Sequence, residues 1–104
     1  MKVLAIDRLR PGVTLETLQP LLPQEAAHAW RLWKDGVLRE NYARLDETGV
    51  VIVFEVDDAA AARALLDAFP MTRAGLIEWD VVPLGAPLPL EALMRSELLD
   101  AAVS

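Results

Sequence analysis

The chain has 104 residues, of which 54% are hydrophobic and 25% charged, with a formal net charge of −6 and no cysteine. That composition fits one globular domain and excludes disulfides, thiolate catalysis and cysteine-based metal sites. Its acidic balance, with lysines and arginines scattered rather than clustered, argues against a nucleic-acid partner.

The opening "KVLAID" (2–7) favours a strand and ends at the turn signal "RPG". The apolar stretch before Asp7 is too short for a signal-peptide core, and no run reaches the length of a membrane span. A cytoplasmic protein without membrane contact is therefore expected. Thr14 is placed to cap a short helical turn in "VTLETLQPLL", which Pro20 cuts. Pro23 can open a longer helix, "PQEAAHAWRLWKDG", closed by Gly36. At 100° per residue, Ala26, Ala29, Trp30 and Trp33 make one stripe, and Gln24, His28, Arg31 and Asp35 make the other. On this pattern the two tryptophans belong to the core, and His28, the single histidine, stands in solvent.

Two strands follow, "VLRENYARL" and "VVIVFEV". They are joined by "DETG", a hairpin connection in which Gly49 can supply a positive φ. Asp57 or Asp58 caps the helix "AAAARALLDAF", whose inward stripe is Ala62, Leu65, Leu66 and Phe69. Pro70 stops it. A fourth strand, "AGLIEWDVVPLG", is ended by Pro83. The remainder is a proline-rich arm and an amphipathic terminal helix, so residues 1–86 form the core of a single 1–104 domain and 87–104 an appendage.

The order β-α-β-β-α-β is the ferredoxin-like α+β arrangement, a four-stranded antiparallel sheet with both helices on one face. The other face of such a sheet ordinarily meets water and alternates apolar with polar. Here "VVIVFEV" is apolar on both sides and "KVLAID" nearly so. A second cover is needed: either another copy of the sheet, giving a dimeric α+β barrel, or the terminal helix folded back. The copy is favoured, and a homodimer or larger assembly through the sheet face is the expectation.

In the fourth strand Ile77, Trp79 and Val81 belong under the helices, which sends Glu78 and Asp80 toward the space between sheets. In the second, placing Val37, Ala43 and Leu45 under the helices turns Glu40, Tyr42 and Arg44 the same way, with Arg39 an awkward neighbour. A desolvated carboxylate beside an arginine and a tyrosine can carry a proton while the cation holds an anionic substrate. Glu78, Tyr42 and Arg44 are accordingly the catalytic candidates, and Arg39, Glu40 and Asp80 the substrate-binding ones. The competing reading makes these ordinary strand charges that pair across an interface or protect a sheet edge. One histidine and no cysteine disfavour a transition-metal site. There is no glycine-rich phosphate loop, and no cofactor is expected.

From Gly36 to about Pro87 the chain resembles the muconolactone isomerase-like group of dimeric α+β barrel proteins. The resemblance rests on Arg39 and Tyr42 in the second strand, "FEV" before the second helix, "FPM" at Phe69–Met71, and "LIEWDV" leading into a proline-rich tail. It implies a cofactor-independent small-molecule enzyme of aromatic-compound breakdown that moves a proton within a small anionic unsaturated lactone or enol. The reaction would take place in a pocket between helices and sheet or at the barrel mouth. By position, the resemblance gives Arg39 and Tyr42 to the substrate and Glu78 to the proton. Two further readings stay open: a non-catalytic binding or assembly module, and a cofactor-independent monooxygenase acting on an aromatic substrate.

Overall fold

The computed structural model describes residues 1–88 together with Arg95 and Asp100. The terminal helix expected beyond Pro87 lies outside them. In chain order the elements are β1 (Lys2–Leu9), α1 (Leu15–Leu18), a 3-10 turn (Gln19–Leu21), α2 (Leu22–Lys34), β2 (Leu38–Ala43), β3 (Val50–Glu55), α3 (Ala59–Asp67), α4 (Pro70–Arg73) and β4 (Ile77–Leu84). The strands form one antiparallel sheet in the order β2-β3-β1-β4. This is the expected ferredoxin-like α+β fold.

Strand alternation sorts the sheet into two faces. Val3 and Ala5 of β1, Ile52 and Phe54 of β3, and Ile77 and Trp79 of β4 are buried beneath the helices, where Leu32, Ala62, Leu66, Phe69 and Met71 meet them. The opposite face carries Leu4 and Ile6, which pair with Val53 and Val51 of β3. Tyr42 extends the Val51 row on one side and Asp80 extends the Ile6 row on the other. No described helix covers this second face.

The helix ends follow local chemistry. The Asp58 carboxylate accepts the Ala61 N–H at 2.8 Å and so satisfies one of the free donors of α3. Ala62, Leu66 and Phe69 then bury as the apolar spacing requires. Pro70 ends α3 and also occupies the first position of the short helix α4. Pro83 lies inside β4 rather than beyond it, as an edge strand permits.

Three local expectations are corrected. The buried face of α2 is Leu32 with Glu25, His28 and Ala29 partly covered, one residue's rotation from the expected stripe. Trp30 and Trp33 are instead 57% and 55% exposed, stacked on one another at 5.1 Å. His28 turns inward: its ring meets Phe69 edge-on at 4.4 Å, and its Nε2 is buried without a hydrogen-bond partner. In β2 the register slips between Leu38 and Glu40, a bulge that leaves Leu38 as the one buried residue of the strand and Ala43 exposed. Val37 precedes the strand and packs, partly buried, against the core as expected, whereas Leu45 stands fully in solvent. The backbone of Gly49 has no positive φ; the glycine is needed for room, because a Cβ there would come within 2.8 Å of the Asp7 carboxylate.

Candidate active site

Period-two alternation along β1 puts Asp7 on the same face as Val3 and Ala5, beneath the helices. It is the one buried charged side chain among the described residues, 7% exposed. Its Oδ1 accepts the Val50 N–H at 2.7 Å across the strand gap that Gly49 leaves open. Facing it from α2, Glu25 accepts the Met71 N–H on Oε1 at 2.9 Å. That bond ties the helix to the first turn of α4.

Both acids line a cleft of about 210 Å³ between α2 and the sheet. Ile52, Phe69, Met71 and Trp79 supply apolar walls, and Asn41 of β2 supplies an amide. Trp79 is held in place by donating its indole N–H to Thr72 Oγ1 at 2.8 Å, with Phe69 tilted against it at 5.9 Å between ring centres.

The electrostatics of the two acids differ. Burial pushes the Asp7 carboxyl above the usual aspartate range, opposed by the Val50 N–H and by the charge of Arg44. Burial also pushes Glu25 up. The Met71 N–H opposes this, while the negative charge of Asp7 adds to it. Asp7 thus has a donor and a cation favouring its ionised form, whereas Glu25 has an anion disfavouring its own. Two carboxyls that burial raises together, facing one cleft, can take a proton at one atom and deliver one at another.

The residues singled out in the sequence fall elsewhere. Glu78 and Asp80 do point to the open sheet face, as expected, but both are about half exposed and ion-paired: Arg8 reaches Asp80 at 3.1 Å and Glu78 at 3.6 Å, and Arg10 reaches Glu78 at 3.6 Å. Tyr42 and Glu40 share that face and bond each other at 2.7 Å, a contact that raises the tyrosine pKa. They belong to β2 and Glu78 to β4, the opposite edge strands, so about 14 Å of sheet separates them within one protomer at ~4.8 Å per strand. Arg39 lies at the bulge and donates to the Gly36 carbonyl. Arg44 alone approaches the acids. It forks onto Asp46 at 2.6 and 3.0 Å and meets Glu47 at 2.8 Å, and it lines, with Asp7 and Gly49, a neighbouring hollow on the other side of Asp7.

Asp7 was legible in the alternation of β1. Glu25 was not, because nothing in a helix marks one acidic residue as facing inward until its partner across the cleft is known. Among the described residues no group of three or more histidines, aspartates and glutamates could hold a metal ion, and no helix is long and apolar enough to cross a membrane.

No protein-family model and no curated protein matches the chain. Solved structures do. Muconolactone isomerase superposes with a TM-score of 0.67 at 19% identity, over 85% of this chain and 92% of that one. 5-Chloro-2-hydroxyhydroquinone dehydrochlorinase (TftG) from Burkholderia phenoliruptrix AC1100, in complex with 2,5-dihydroxybenzoquinone, gives 0.62 at 21% identity, over 84% and 96%. An antibiotic biosynthesis monooxygenase gives 0.54 at 18%, over 83% and 97%. The chain shares the ferredoxin-like α+β fold of these structures.

Proposed function

We propose that the protein is a cofactor-independent proton-transfer enzyme of the isomerase type, acting on a small unsaturated lactone or enol bound between Asp7 and Glu25. The observation that carries this reading is the pair of carboxyls, Asp7 buried and Glu25 half-buried, facing one apolar cleft. Asp7 removes a proton from the carbon next to the lactone carbonyl. The electron pair enters the conjugated dienolate, and Glu25 returns a proton at the far carbon of that system. Net charge is conserved, and the two carboxyls end with exchanged protonation, reset through solvent. Apolar walls exclude water and strengthen the field of both groups on the developing enolate.

Two features refine the expectation drawn from sequence. The volume lies below the roughly 300–1,000 Å³ of ordinary ligand pockets, so the reacting ring is compact. Among the described residues no cation lines this cleft, and Arg44, whose charge acts on Asp7, is already paired with Asp46 and Glu47. A neutral ring therefore suits it better than the anionic one expected. Fold neighbours that isomerise a lactone and dehydrochlorinate a hydroxyhydroquinone support small oxygenated rings as the substrate class. The uncovered apolar sheet face supports self-association, with Glu78, Asp80, Glu40 and Tyr42 then lying at a subunit interface.

The test is the conversion of 5-methylfuran-2(3H)-one to its 2(5H) isomer, followed by proton NMR in deuterated water. Asp7→Asn and Glu25→Gln should each slow the enzymatic rate by ~100-fold or more, the usual scale for loss of a general acid or base. Glu78→Gln discriminates between the two site assignments. A rate lost in Glu78→Gln but kept in Asp7→Asn would return the chemistry to the open face, and a wild-type protein without effect on the lactone would overturn the reading.

A further inference from the structure

A second hollow, of about 280 Å³, adjoins the acid cleft between α2 and β2. Trp30, Trp33 and Leu38 line it, and Ala26, Ala29 and Asn41 line both spaces. The partition on the helix side is therefore made of two alanines one turn apart, whose methyl groups are the smallest side chains that still form a wall. On the strand side it is the Asn41 amide, which can both donate and accept.

The two indoles are more than half exposed on a helix whose other face is buried, and an exposed apolar patch of this kind marks a contact surface. They are also ordered by each other, stacked at 5.1 Å with planes 25° apart. A flat aromatic surface already fixed in place binds another ring without first losing rotamer freedom. Among the described residues no charged side chain lines this hollow. Joined to it, the acid cleft reaches the ordinary size of a ligand pocket.

We propose that the outer hollow is a subsite for a neutral, planar aromatic substituent of the substrate. The compact reacting ring sits between Asp7 and Glu25, the linkage crosses Ala26 and Ala29, and the second ring lies against Trp30. Asn41 addresses a polar atom at the junction. The substrate class is thus an aryl-extended unsaturated lactone or enol rather than a single small ring. This inference rests on the acid cleft being the reacting site.

The experiment compares the 5-methyl and 5-benzyl furan-2(3H)-ones by steady-state kinetics, and their 2(5H) products by calorimetry, on wild type and on Trp30→Ala. Trp30 is exposed, so the variant should fold; circular dichroism checks this. The benzyl lactone should bind wild type at least 10-fold more tightly than the methyl lactone, and the ratio should fall toward one in Trp30→Ala. Equal affinities in wild type, or a preference that survives the substitution, would overturn the subsite while leaving the acid cleft standing. If neither lactone binds or turns over, the proton-transfer reading and this one fail together. A change in sedimentation of Trp30→Ala with an unaltered affinity ratio would assign the indoles to contact between copies of the chain, and would also overturn the subsite.

Discussion

Asp7 is the residue on which stability and function pull in opposite directions. Its native-state pKa is raised, so the fold holds the proton more tightly than the unfolded chain does. The associated stability is fully present below the ordinary aspartate range and is lost as pH rises through the raised value; Glu25 behaves alike. Asp46 and Glu55 run the other way, their pKa values lowered by Arg44 and by the N-terminus with Lys2, but both pairs are exposed and weak. Asp7→Asn keeps an oxygen to accept the Val50 N–H and removes the buried charge. The variant should therefore melt higher than wild type at pH 8, by a margin that shrinks toward pH 4, while losing activity. Melting curves across that range check it, and a margin independent of pH would show that the buried charge carries no cost. A destabilising group kept in the core is expected where catalysis needs it.

Among the elements, α3 and α2 contrast. In α3 each local signal agrees: an aspartate cap, an alanine-rich body and an apolar stripe that buries as spaced. Asp58→Ala should cost about 1 kcal/mol, the usual value of an N-cap, and lower the melting temperature by about 4–8 °C for a domain of this size. Calorimetry measures it, and an unchanged melting temperature would mean that the 2.8 Å cap bond contributes nothing. In α2 the widest apolar stripe and the buried face differ by one residue. Hydrophobic periodicity identifies an amphipathic helix, but it cannot tell a side packed on the core from a side that lines an open hollow. The bulge in β2 had a similar effect. Inserting Arg39 as the unpaired residue shifts the pairing between Leu38 and Glu40, and period-two counting carries no sign of it.

For the molecule as a whole, the sheet's second face is the unfinished part. Leu4, Ile6, Val51 and Val53 form an apolar centre. Arg8 with Glu78 and Asp80 stands along one edge, and Glu40 with Tyr42 along the other. An apolar middle with a charged rim has the layout of an association surface. Wild-type protein should sediment as a dimer or larger at micromolar concentration. Val51→Lys, placing a charge between Ile6 and Tyr42, should shift it to monomer without changing far-ultraviolet circular dichroism. A wild-type monomer under those conditions would assign another cover to the face, or none.

The sequence by itself determined the order of elements, the antiparallel sheet and the orientation of β4, because these depend on nearest-neighbour chemistry: caps, prolines, and alternation along a strand. It also determined that both sheet faces are apolar, since that is visible within single strands. Only the tertiary structure decided where the acids meet. Asp7 and Glu25 are 18 positions apart in numbering and reside on different elements, and their opposition depends on the rotation of α2 and the room left by Gly49. Burial, and with it the pKa shift of these two carboxylates, is a property of what surrounds a residue and is not encoded at its own position.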